Sequence, residues 1–161
     1  METRTLHPGL LLVLCIALPL IIGIIGSVVT LGSLPGWYAG LNKPPCTPPA
    51  WLFGPVWTVL YILMGVSLFL ILRNGTNVPF VWQGVTLFAA QLAFNLLWSI
   101  VFFGWHAIAA ALAVLLLLIV FIAATLWTFR RISVTAAWLL VPYIAWCCIA
   151  TVLNASLMLL N

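Results

Sequence analysis

Three short sets of residues in this chain carry groups that do more than fill space. Trp57 and Tyr61 stand at i and i+4, Gln91, Asn95 and Trp98 at i, i+4 and i+7, and Tyr143, Trp146 and Ala150 at i, i+3 and i+7. On a helix each set falls on one face. The chemistry on offer is recognition: indole and phenol rings present flat apolar faces with one polar atom each, and carboxamides present a donor and an acceptor. Set in a field of Leu, Ile, Val and Ala, three such stripes most economically face one another and line a cavity. Spacing alone leaves a second reading open, in which Gln91 and Asn95 are interhelical glue worth on the order of 1 kcal/mol per bond and bind nothing.

Acid–base and metal chemistry find little support. Asp and Glu together number 1, the residue being Glu2, so no carboxylate lies in an apolar run to act as a general acid or to carry a coupling proton or sodium ion. Cys15, Cys46 and the neighbours Cys147 and Cys148 form no C-x-x-C or metal-ligand spacing and read as small packing residues. His7 and His106 are single histidines at the ends of apolar runs, where a boundary role competes with ligation of a haem iron.

The elements that must position these stripes are membrane helices. Of 161 residues 66% are hydrophobic and 4% charged, with mean hydropathy +1.34, a composition from which no water-soluble surface can be built. Runs long enough to cross about 30 Å of hydrocarbon, which takes roughly 20 helical residues, lie near 9–31, 51–72, 80–103, 106–129 and 134–159. Backbone groups in lipid must be satisfied internally, and the alternation of a membrane barrel is missing. The expectation is one all-α integral membrane domain over residues 1–161, a bundle of five transmembrane helices. Arg4 before the first run resembles a signal-peptide start, but the run is long and no A-x-A site follows, so a retained helix is expected.

The scattered cations exclude a nucleic-acid footprint and act instead as juxtamembrane anchors. Arg4, Arg73, Arg130 and Arg131 fall on one side of the five-span arrangement and Lys43 alone on the other. The positive-inside rule then places the N-terminus in the cytoplasm, and the loop before Trp51 and the C-terminus outside, as in a cytoplasmic (inner) membrane. Of the 9 tryptophans, Trp37, Trp51, Trp82, Trp105, Trp127 and Trp138 sit at span ends and read as an interfacial belt. Trp57, Trp98 and Trp146 lie deeper, and their N–H groups need partners. In span three, Gly84, Ala89, Ala90 and Ala93 offer small-residue spacing for close helix approach, within the bundle or between two copies.

A longer series of motifs resembles the TspO/MBR family, also called the tryptophan-rich sensory, translocator or peripheral-type benzodiazepine receptor family. It comprises Trp37-Tyr38 with Leu41-Asn42-Lys43-Pro44, then Pro48-Pro49, Trp51, Phe53-Gly54-Pro55, Trp57-Thr58 and Tyr61. It continues through Gln91, Asn95, Trp98 and Phe102-Phe103 to Pro142-Tyr143, Trp146, Ala150-Thr151 and Leu153-Asn154, in family order. The resemblance implies a five-helix membrane protein, commonly dimeric, whose pocket is capped by the first loop and takes tetrapyrroles such as protoporphyrin IX and haem, with sterols and benzodiazepine-type drugs for some members. Carried over by motif position, the pocket residues are Trp37, Tyr38, Trp57, Tyr61, Gln91, Asn95, Trp98, Tyr143 and Trp146. Lys43, the sole cation on that side, is added as a partner for a porphyrin carboxylate.

The expected function is therefore a tetrapyrrole-binding translocator or sensor in the lipid bilayer, with porphyrin or haem as ligand rather than required cofactor, and a homodimer through span three. Two alternatives follow from the same resemblance. One is light- and oxygen-dependent porphyrin degradation, in which Trp57 and Trp146 carry the chemistry. The other is a sterol or lipid carrier, weakened because no basic residue follows Tyr143.

Overall fold

The computed structural model describes residues 7–45 and 47–161; Glu2, Arg4 and Cys46 lie outside them. Helix α1 spans Pro8–Ser33 and continues through a wider π-helical turn, Leu34–Tyr38. Helix α2 spans Ala50–Leu72, and α3 spans Val81–Ser99 with a second π-helical turn at Ile100–Gly104. Helix α4 spans Ile108–Arg130, while α5 (Val134–Leu139) and α6 (Val141–Leu160) together form the last span. Five segments are long and apolar enough to cross a membrane, and no strand occurs among the described residues.

Two departures from the sequence expectation affect the site. The first span does not stop near Leu31: the helical path runs to Tyr38, 31 residues in all, so Trp37 and Tyr38 belong to a helix end and not to a loop. At roughly 45 Å this segment is longer than a hydrocarbon core of about 30 Å. Pro35 and Gly36 are tolerated because the helix widens there, and Ser33 Oγ donates to the Phe103 carbonyl in the other π-helical turn. The last span is interrupted at Leu140, two residues before Pro142. Leu140 N donates to Ala137 O at 3.0 Å in a tight turn, and the ladder resumes with Ile144 N to Leu140 O at 3.1 Å.

Around the bundle, α1 packs against α2 and α3, α3 against α4, α4 against α5 and α6, and α5 back against α2. The ring therefore runs first, second, fifth, fourth, third span. Two glycines allow the closest approaches. A Cβ on Gly65 would collide with the Ile16 backbone and lie 2.8 Å from the Cys15 carbonyl, and one on Gly84 would lie 2.9 Å from the Phe129 ring. Gly84 thus serves the α3–α4 seam, whereas Ala89 and Ala93 face outward. The outer surface is rich in exposed Leu, Ile and Val, as expected where the solvent is lipid. Trp51, Trp82, Trp105, Trp127 and Trp138 are exposed near the ends, consistent with a belt. Trp37 departs from that expectation: it is half-buried and stacked on His106, ring centroids 4.3 Å apart.

Gly65→Ala is expected to destabilise the fold by about 1–3 kcal/mol, since backbone must move to admit one methyl. Gly32→Ala, with no atom within 4 Å of the new Cβ, is expected to be neutral or mildly stabilising. Thermal unfolding of the two variants in detergent checks this, and equal midpoints would refute the close-packed α1–α2 seam.

Candidate functional site: an aromatic cavity beside a buried phenol–amide–phenol chain

The three stripes do meet, and their meeting point is a hydrogen-bonded plug. Tyr61 OH in α2 donates to Asn95 Oδ1 in α3 at 2.7 Å, and Asn95 Nδ2 donates to Tyr143 OH in α6 at 3.1 Å. All three side chains are buried. Trp57 stacks on Tyr61, centroids 5.4 Å apart and planes 28° apart, and meets Tyr143 edge to face at 6.2 Å. Packed and bonded in this way, Trp57, Tyr61, Asn95 and Tyr143 join α2, α3 and α6.

The open space lies on the other side of Tyr61. A cavity of about 600 Å³ is bounded by α1, α2, the upper end of α3 and the segment before α2. On its α1 wall two glycines admit close neighbours: a Cβ on Gly23 would collide with the Tyr61 ring, and one on Gly26 would lie 3.3 Å from Ser99 Oγ. Ser27 and Thr30 extend this small, polar strip along the α1 wall. Their hydroxyls donate to their own helix, to Ile24 O at 2.7 Å and Gly26 O at 2.9 Å, and keep lone pairs free to accept. Ile24, Leu31 and Trp51 line the cavity and are also exposed on the outer surface, so the wall between α1 and α2 is incomplete.

Of the ten residues expected at the site, Tyr38, Lys43, Trp57, Tyr61 and Trp98 line this cavity. Trp37, Gln91, Asn95, Tyr143 and Trp146 do not. Asn95 and Tyr143 are engaged in the plug. Trp146 packs edge to face on Phe53 at 5.8 Å, with Phe53 standing between it and the cavity wall. Trp37 lies behind Tyr38, against His106 and Phe102. Gln91 is wholly buried, and neither its Nε2 nor its Oε1 has a partner among the described residues.

Trp98 shows how one indole serves two ends. Its N–H donates to Asn154 Oδ1 at 3.3 Å, Asn154 Nδ2 donates to Ile108 O at 2.9 Å, and its ring stacks on Phe102 at 5.3 Å. The polar atom is thereby satisfied across α3, α6 and the start of α4, leaving the ring for the cavity. The α1 wall was not picked out in the sequence, although Gly23, Gly26, Ser27 and Thr30 recur at i, i+3, i+4 and i+7. That small-polar stripe was the available signal, masked because it contains no aromatic.

A lid closes the upper end. Asn42 N donates to Asn161 Oδ1 at 2.9 Å, and Asn161 Nδ2 donates to Asn42 O at 3.1 Å, which fastens the segment before α2 to the end of α6. Lys43 Nζ donates to Ala39 O at 3.1 Å and Leu41 O at 3.2 Å, and lies 4.8 Å from the Tyr38 ring centroid. An ammonium on the last carbonyls of a helix is favourably placed. It leaves Lys43 at the cavity rim with no Asp or Glu side chain among the described residues to pair it.

Asn95→Leu is expected to cost about 1–3 kcal/mol, because it leaves the two buried phenol hydroxyls without their shared partner. Gln91→Met is expected to leave stability unchanged or raise it by about 1 kcal/mol, since both amide atoms are unpartnered. Thermal midpoints in detergent decide, and the reverse order would overturn the distinction between the two amides.

The sequence matches the TspO/MBR family over residues 15–160. It is 45% identical to "Tryptophan-rich protein TspO" of Chlorobaculum tepidum over 152 residues, 94% of this chain and 96% of that protein. It is 42% identical to "Tryptophan-rich sensory protein" of Cereibacter sphaeroides, covering 84% of this chain and 85% of that protein. A mammalian relative, "Translocator protein" of Bos taurus, is 39% identical over 85% of this chain and 82% of that protein. With five apolar spans and this match along nearly its whole length, the chain is an integral membrane protein that belongs to the TspO/MBR family.

Proposed function

We propose that the protein is a membrane translocator or sensor that binds a tetrapyrrole such as protoporphyrin IX or haem in the α1–α2–α3 cavity. The observation that carries this reading is the cavity wall: Tyr38, Trp57, Tyr61 and Trp98 bring four aromatic rings to one apolar chamber, with Lys43 at its rim. A volume of about 600 Å³ falls within the ~300–1,000 Å³ typical of small-molecule sites. A flat macrocycle stacks on indole and phenol faces, its apolar rim fits the Leu and Ile of α1, and its carboxylates stay at the polar mouth beside Lys43. Asn95 is committed to the plug, so hydrogen bonds to the guest fall to the hydroxyls of Ser27, Thr30 and Tyr38.

The charge pattern supports a cytoplasmic (inner) membrane setting with the lid outside and the Arg73, Arg130 and Arg131 end in the cytoplasm. The outward-facing Ala89 and Ala93 of α3 support a homodimer through that helix. A photo-oxidative degradation reading keeps one residue in place: Trp57 lines the cavity and Trp146 does not. A sterol is a lesser candidate for the same chamber.

Protoporphyrin IX titrated into the purified protein, followed by Trp fluorescence in the dark, tests the reading. Trp57→Leu is expected to weaken binding roughly tenfold, and Trp146→Leu much less. Lys43→Ala is expected to weaken it severalfold at low salt, with the difference shrinking as salt is raised. No saturable binding, or equal losses at Trp57 and Trp146, would refute the assignment to this cavity. Repeating the titration under light in air separates the alternatives, since loss of the Soret band only when lit and only with Trp57 present marks degradation.

A further inference from the structure

The end of the bundle opposite the lid carries a second, unrelated feature. Arg130 closes α4 and Arg131 follows it, both exposed. The Arg131 guanidinium carbon lies 5.1 Å from the Phe80 ring centroid and 5.7 Å from that of Trp127, and the Arg130 carbon lies 6.0 Å from the Trp127 ring. A shallow cleft of about 220 Å³ is lined by Trp127, Arg130 and Arg131. Phe80 reaches its place through a left-handed backbone, φ 70°, which a phenylalanine adopts at a cost of roughly 1 kcal/mol or more.

Two adjacent guanidinium groups need a counter-charge, and no residue among the described ones brings one to them. Lys and Arg number 5 against a single acid, Glu2, and no carboxylate side chain occurs among the described residues. Ring faces neutralise only part of a cation's field, and an arginine packed against a ring keeps its N–H edge free for a planar, two-oxygen acceptor. Trp127 and Phe80 are themselves half-exposed or more, as aromatics are at the boundary between hydrocarbon and headgroups.

We propose that Arg130 and Arg131, held against Trp127 and Phe80, form a binding site for the phosphate of an anionic phospholipid. In an integral membrane protein the anion available at this depth is the lipid phosphodiester. A headgroup with net negative charge suits two arginines, whereas a choline headgroup brings its own cation into the same cleft. The strained backbone at Phe80 is then a structural device that sets a ring against Arg131. This site is independent of the cavity reading, and its failure would leave that reading untouched.

The test is native mass spectrometry of the detergent-purified protein given equal amounts of phosphatidylglycerol and phosphatidylcholine. Wild type is expected to retain phosphatidylglycerol preferentially, and the double variant Arg130→Gln, Arg131→Gln to lose roughly tenfold or more of that retention. Arg131→Lys keeps the charge but not the planar fork, and is expected to fall at least twofold, by about a third of a decade. Equal retention of the two lipids, or undiminished retention in the double variant, overturns the proposal. Stripping of phosphatidylglycerol by millimolar inorganic phosphate also overturns it, by making free phosphate the ligand. Should the double variant fail to fold, brominated lipids give a second reading from the quenching lost in Trp127→Phe. Stronger quenching by brominated phosphatidylglycerol than by brominated phosphatidylcholine is expected, and equal quenching counts against the site.

Discussion

The buried contact between Tyr61, Asn95 and Tyr143 sets the layout of everything around it. In lipid an amide has no water to turn to, so Asn95 must find its partners on neighbouring helices, and the two phenols supply an acceptor and a donor at 3.1 and 2.7 Å. This draws α2, α3 and α6 together at one level and turns the Tyr61 ring toward α1. Only a residue without a side chain fits opposite that ring, and Gly23 stands there. The cavity lies beside this contact, with Tyr61 in its wall and Asn95 and Tyr143 outside it. Its position is thus a consequence of satisfying one carboxamide.

The two ends of the bundle are built on different physics. At the lid end, polar groups are consumed locally: Asn42 and Asn161 bond reciprocally, Lys43 caps the end of the first helical path, and Ser33 ties one π-helical turn to the other. At the opposite end the cations are exposed beside aromatic rings, and no carboxylate side chain among the described residues meets them. One end is closed by internal hydrogen bonds, and at the other the two guanidinium groups stay exposed. With so few charges, this asymmetry is carried by a handful of residues.

Much of this was legible in the residues themselves. Five apolar runs predicted five spans, because length and hydropathy are local properties, and the boundaries of the second to fifth shifted by only a residue or two. The helical spacing of Trp57 with Tyr61 and of Asn95 with Trp98 correctly indicated faces that meet across helices. The structure departs from local signals where contacts between segments override them. Pro35 and Gly36 mark a loop by their types, yet contacts with the Phe102 and Phe103 segment hold Trp37 and Tyr38 on a widened helix. Aromatic stripes mark spans two, three and five by residue type, whereas the wall in span one is made of glycine and hydroxyl side chains that carry no such mark.

The sequence by itself determined the solvent, the number of crossings, the helical faces that carry polar atoms, and the family motifs, since each depends on residue type and on spacing within one helix. Only the tertiary structure decided which of those polar atoms satisfy one another and which stay available. Gln91 and Asn95 share a face and a chemistry, yet one has two partners and the other none among the described residues. That difference depends on the reach of phenols on two other helices, a matter of ångströms across the bundle that no spacing along a single segment encodes.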